Sequence, residues 1–153
     1  AREGACGLWL TSPVGAIGYI ILTDQMPRNM FREDADAFST DQSARAAAKL
    51  AIDRGWDMRI PEPERQFFYL PLMHSENLID QDRAVRLFKS KMPETGASNL
   101  RHARAHREII RQFGRFPYRS EALDRMRTKA EQDWMEAGGY GATLRQLDNA
   151  KVA

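Results

Sequence analysis

Residues 4–22 read GACGLWLTSPVGAIGYIIL, nineteen consecutive positions without a charged side chain. That is about the length a helix needs to cross a bilayer, so its reading decides between a membrane protein and a chain that buries this segment in a core. Gly4, Gly7, Gly15, Gly18, Thr11, Ser12 and Pro13 interrupt it. Ser12-Pro13 is the pattern of an N-cap followed by proline at the first helical position, where the missing N–H is not needed. The helix therefore starts at Pro13, and its uncharged part is only about ten residues long. That is a core helix, not a membrane span or a signal anchor.

This first helix runs to about Gln25 with Val14, Ile17, Ile20, Ile21 and Asp24 along one face, and Pro27 is expected to stop it. A loop carrying Glu33, Asp34, Asp36 and Asp41 follows. A second, alanine-rich helix spans about Asp41 to Arg54, with Gly55 as its left-handed C-cap. A third opens at Pro61 and runs to about Met73. Its apolar residues Phe67, Phe68, Tyr69, Leu70, Leu72 and Met73 nearly encircle it, and Pro71 should kink it. The fourth covers about Asn77 to Lys91. The fifth runs from a Ser98 cap to Phe113, where Gly114 and Pro117 end it. Thr128 followed by Glu131 is a capping box for a sixth, about Lys129 to Ala137, ending at Gly138-Gly139.

No segment alternates with a period of two. The fold class is therefore all-α, a single domain of about six helices over residues 1–153. Helix starts at 41 and 77, and at 62 and 98, repeat at about 36 residues, close to the spacing of tetratricopeptide arrays. Stacked helical hairpins follow from that spacing, although the consensus residues of that repeat are not visible.

Hydrophobic residues make up 42% of the chain, too many for a disordered segment, and 153 residues suffice for one core. A net charge of +2 gives no global attraction to nucleic acid or membranes. Cys6 stands alone, which excludes an internal disulfide and a thiolate zinc site and suits the reducing cytoplasm. The chain begins at Ala1, not methionine, so a further N-terminal segment is expected.

The chemistry lies in polar residues at core-facing positions. Asp24 sits on the apolar face of the first helix, His74 continues the Phe67/Leu70/Pro71 face, Gln81 lies between Leu78 and Val85, and His106 and Arg107 lie between Ala103 and Ile110. A buried polar group without a partner costs on the order of 1–3 kcal/mol, so these groups should find one another or line a wet cavity. Arg28, Glu76, Asp80, Arg107, Arg115 and Arg119 are the expected partners. Three readings stay open: structural glue between hairpins, a pocket for a ligand, or a catalytic site.

Residues 101–127 hold eight arginines, and Arg101, Arg104, Arg111 and Arg115 share one helix face. That face is either simply solvated or a strip for an anion or an acidic peptide. Nucleic acid is not an expected partner, because aromatic residues are not interleaved with the arginines. There is no Gly-rich phosphate loop, H-E-x-x-H, Glu-x-x-His pair or nucleophile elbow. His74, Glu76, His106 and Asp24 are metal-capable residue types, but no metal or cofactor is expected. His102 and His106 are spaced so that only one of them faces the core.

Three segments in order, LTDQMPRNMFR (22–32), FYLPLMHSENLIDQ (68–81) and HREIIRQFGRFPYR (106–119), resemble a bacterial family catalogued as domain of unknown function 924. The likeness runs from about Trp9 to Glu136. It implies a tetratricopeptide-like helical fold and no particular activity. It also implies an earlier segment with a Phe-Trp-Phe run that is missing here, and a Glu where Met73 stands. The shared motif positions are Asp24, Gln25, Arg28 and Asn29; His74, Ser75, Glu76, Asp80 and Gln81; and His106, Arg107, Arg115 and Arg119.

On this reading the site residues are Asp24, Arg28, His74, Glu76, His106, Arg107 and Arg115. They form a polar cluster that holds an anionic small molecule or an acidic peptide. The alternatives are a hydrolase using His74 or His106 as base with arginines stabilising an anion, and a structural protein with a satisfied internal network.

Overall fold

The computed structural model describes residues 7–31 and 34–150, so Cys6, Arg32 and Glu33 lie outside the described residues. Helix α1, Pro13–Ile20, is capped by the Ser12 side chain, which accepts from the Gly15 N–H. The buried stripe is Ala16, Tyr19, Ile20, Thr23 and Asp24. Val14, expected on that face, is instead exposed at 71%, so the stripe sits one position further round the helix.

Pro27 does not stop the helix. The chain widens into a π-helical turn, Ile21–Gln25, and continues as α2, Met26–Met30. Pro27 has no N–H to offer the carbonyl of Thr23 four residues back. That carbonyl accepts instead from the Thr40 hydroxyl at 2.6 Å, and the carbonyl of Asp24 accepts from Arg28 Nη1 at 2.9 Å. The expanded turn also turns Asp24 into the interior, where it is 1% exposed.

A 3-10 turn, Ala35–Phe38, leads into α3, Asp41–Asp53, whose Ala44, Ala47, Ala48 and Ala51 let it pack closely on α1. Gly55 follows with φ of +69°, the left-handed conformation that glycine adopts freely. The expected third helix from Pro61 to Met73 is absent as one element. Residues Glu64–Phe68 form a 3-10 turn, and only Leu70–Met73 make an α-helical turn, α4. Pro61, Pro63 and Pro71 remove three backbone donors from thirteen residues, so a continuous hydrogen-bond ladder is not available. Pro71 lies in the first turn of α4, where it is tolerated, and produces a break rather than a kink.

Helix α5, Leu78–Lys91, is capped by Asn77 and packs along α6, Ala97–Phe113, as a hairpin. Gly114, with φ of +69°, closes α6. After the turn Pro117–Arg119 come α7, Lys129–Glu136, with its Thr128/Glu131 capping box, and α8, Gly139–Asn149. Helix α8, which packs on α6, extends the expected count of six. Its glycine-rich opening, Gly139-Tyr140-Gly141, has little intrinsic helix preference.

The fold is all-α, with no strand among the described residues, and none of its described helices is long and apolar enough to cross a membrane. Starts at Asp41 and Leu78 keep the first half of the expected rhythm. The second half is lost, since α4 and α6 start at Leu70 and Ala97. The main core gathers Ile20, Phe68, Tyr69, Leu72, Phe88 and Met92, and a smaller cluster forms around Ile109, Ile110 and Phe116. His106 packs against Phe116 of the smaller cluster.

Candidate functional site

Asp24 on the π turn meets His74 at the end of α4: Nδ1 of His74 lies 2.8 Å from Oδ1 and 3.1 Å from Oδ2. A carboxylate only accepts, so Nδ1 carries the proton and the ring's other nitrogen, Nε2, is left as an acceptor. Gln25 also donates to Asp24, and Arg28 Nη1 stands 3.3 Å from it. Burial pushes the Asp24 carboxyl upward, but His74, Arg28 and Gln25 together hold it below its ordinary value. His74 is pushed down by burial and by Arg28 and Arg119, against the pull of Asp24. The dyad is an aspartate beside a neutral imidazole.

Arg28 reaches across to the first turn of α3 and forks onto Asp41, Nη1–Oδ1 2.7 Å and Nη2–Oδ2 2.8 Å. Arg119 lies between the rings of Phe38 and Phe116, its guanidinium carbon 4.7 and 4.4 Å from their centroids. It donates to the carbonyl of His74 at 3.0 Å and approaches Asp41 at 3.8 Å. Two guanidinium groups thus stand against two carboxylates.

His106 lies beside His74, ring centroids 6.4 Å apart, and against Phe116. Its Nδ1 is 2.9 Å from the carbonyl of His102, an acceptor, so here too Nδ1 holds the proton and Nε2 is bare. Burial, with the neighbouring His74 and Arg119, holds His106 down to about 3, although the His102 carbonyl pulls the other way. Both histidines of the pair i,i+4 are engaged, since Nδ1 of His102 meets the Tyr140 hydroxyl at 2.5 Å.

These groups surround an open cavity of about 370 Å³ lined by Arg28, Phe38, His74, His106, Tyr118 and Arg119 with Ala37 and Ala122. A second hollow of about 400 Å³ shares Phe38, His74 and Arg119 and extends past Asp41, Ser75 and Glu76. Among the described residues no three His, Cys, Asp or Glu side chains are grouped to hold a metal ion.

Of the expected site residues, the structure brings Asp24, Arg28, His74 and His106 together. Glu76 borders the second hollow but is taken up by Arg125, at 2.8 and 3.0 Å, and by the Phe116 N–H at 2.9 Å. Arg107 and Arg115 are not in the cluster. Arg107 pairs with Asp82 at 3.3 Å across the α5–α6 hairpin. Arg115 forks onto Glu131 at 2.6 and 2.7 Å and donates to the carbonyl of Met126, so it braces the α7 cap. Gln81 serves the backbone, donating to the carbonyls of Met73 and Ser75. Asp80 is held by Ser75 and Lys49.

The expected arginine strip on α6 is largely neutralised, with Arg101 on Asp148, Arg111 near Glu108 and Arg115 on Glu131. Asp41, Phe38 and Tyr118 join the site without having been expected there. Only the Arg28–Asp41 pairing left a trace, as an acid placed at a helix start.

A model of bacterial proteins of unknown function, domain of unknown function 924, matches residues 1–139, and the chain belongs to that family. A solved protein of unknown function from Agrobacterium tumefaciens is similar over 90% of this chain and 78% of its own, with 38% identity and a TM-score of 0.82. No curated protein matches the chain.

Proposed function

We propose that this family member binds a small organic anion in the cavity lined by Arg28, Arg119, His74 and His106. The observation that carries this reading is the convergence of two guanidinium groups and two neutral imidazoles on one open hollow of about 370 Å³, a size typical of ligand pockets. Arginine forks suit carboxylates and phosphates. The ring faces of Phe38 and Phe116 fix Arg119 in place, so little side-chain entropy is lost on binding.

A second reading, hydrolysis, draws on the Asp24–His74 pair. An aspartate that orients a neutral imidazole with a free Nε2 is the arrangement of a general base, and Arg28 and Arg119 would stabilise the anion formed. Replacement of His74 by Gln would then abolish whatever turnover the wild type shows in a screen of esters and phosphoesters. For the architecture, we infer stacking of helical hairpins in the tetratricopeptide manner within one domain, a view supported by the α5–α6 hairpin and by the starts of α3 and α5.

Thermal shift on the purified chain tests the binding reading, because a ligand of the native state raises its melting temperature. Phosphate and small carboxylates should raise it for the wild type and fail to do so for Arg119→Met. Equal shifts in both proteins, or none in either, would count against the cavity as an anion site.

A further inference from the structure

The two imidazoles constrain which anions fit. Nδ1 of His74 is committed to the Asp24 carboxylate and Nδ1 of His106 to the His102 carbonyl, both pure acceptors. Each neutral ring therefore has a lone pair on Nε2, on the side of the ring away from those partners, and both rings line the same cavity. Arg28 and Arg119 contribute donors only. Their charges are opposed by Asp24 and Asp41, the latter gripped bidentately by Arg28, so a bare anion meets a site that is already close to neutral. A ligand that offered only acceptors would leave both histidine lone pairs stranded.

We propose, on the basis of that binding reading, that the cavity selects hydroxylated anions: molecules that present a carboxylate or phosphate to Arg28 and Arg119 and hydroxyl groups to Nε2 of His74 and His106. Small sugar phosphates and hydroxy acids have this chemistry. The rings stand 6.4 Å apart between centroids, close enough for one small polyol chain to reach both. Both histidines are held in the neutral form by burial, which keeps Nε2 an acceptor at neutral pH. A site built to bond a hydroxyl discriminates strongly against the analogue that lacks it.

Titration calorimetry of the full chain with glycerol 3-phosphate and propyl phosphate isolates the hydroxyls, since the two share chain length and phosphate. The expected result is binding of glycerol 3-phosphate at least about tenfold tighter, as one or two well-made hydrogen bonds provide. His106→Phe, which keeps a ring of similar size, should shrink that ratio. Equal affinities for the two phosphates, or an unchanged ratio in His106→Phe, overturn the selectivity while leaving the anion site standing. Failure of both compounds to bind removes the anion site and the selectivity together. Nitrogen-15 spectra of the histidine side chains test the premise in the unmodified protein. Both rings should carry the proton on Nδ1, and a proton on Nε2 of either ring would overturn the proposal whatever the calorimetry shows.

Discussion

Nδ1 of His74 lies 2.8 Å from Oδ1 of Asp24, a contact between residues fifty positions apart that ties the π turn after α1 to the end of α4. The aspartate is 1% exposed and has three polar neighbours, His74, Arg28 and Gln25. Its replacement by Asn removes the charge that Arg28 and the imidazole N–H face. Breaking a buried pair from one side commonly costs about 3–5 kcal/mol. Asp24→Asn should therefore lower unfolding free energy by that amount in a urea melt.

The buried histidines should make the fold acid-sensitive in a definite direction. His106 is held down to about 3 by burial, against an ordinary value of 6.5, so the unfolded chain takes up its proton first as pH falls. The stability gained from a neutral His106 is complete above 6.5 and is lost as pH falls from there towards about 3. Each such proton adds up to about 1.4 kcal/mol per pH unit to the slope of stability against pH. Urea melts between about pH 5 and 6 should show a slope smaller by about that amount in His106→Phe than in the wild type. Identical slopes would mean that His106 is already protonated in the fold.

Thr40 supplies the hydroxyl that takes the place of the N–H missing at Pro27. Thr40→Val keeps the shape and leaves the buried Thr23 carbonyl without this donor. The expected loss is about 1–3 kcal/mol, read from the denaturation midpoint at unchanged slope.

Arg115 and Arg119 should separate cleanly. Arg115→Met strips Glu131 of its fork and loosens the start of α7, so it should lower the melting temperature. Phosphate affinity should stay within about twofold of wild type, because Arg115 does not line the cavity. Arg119→Met should do the reverse to binding, and an equal loss of affinity in both variants would mean that the effect is global.

The all-α class, most of the helices and the meeting of Asp24, His74 and His106 were legible because they rest on periodicity. Asp24, His74 and His106 each stood out as a polar residue on an apolar stripe, and such residues must meet partners. Asp41 and Phe38 did not stand out, since they enter the site from a 3-10 turn and a helix start that have no stripe to violate. Arg107 and Arg115 were misplaced for the opposite reason. A half-buried arginine on a packed helix, or just past its end, can be satisfied by a neighbouring helix, as Asp82 does for Arg107 and Glu131 for Arg115. The π turn was hidden because Pro27 ordinarily signals an end, and only the Thr40 hydroxyl from elsewhere in the fold lets the helix continue.

On this reading anions bind between Arg28, Arg119, His74 and His106 and not on the arginine face of α6. Titration of phosphate into isotope-labelled protein, followed by side-chain and backbone resonances, tests it most directly. Saturable shifts should centre on Arg28, Phe38, His74, His106, Tyr118 and Arg119, with Arg101, Arg104 and Arg111 little affected. Shifts confined to the α6 arginines, or drifting without saturation across the surface, would contradict the claim.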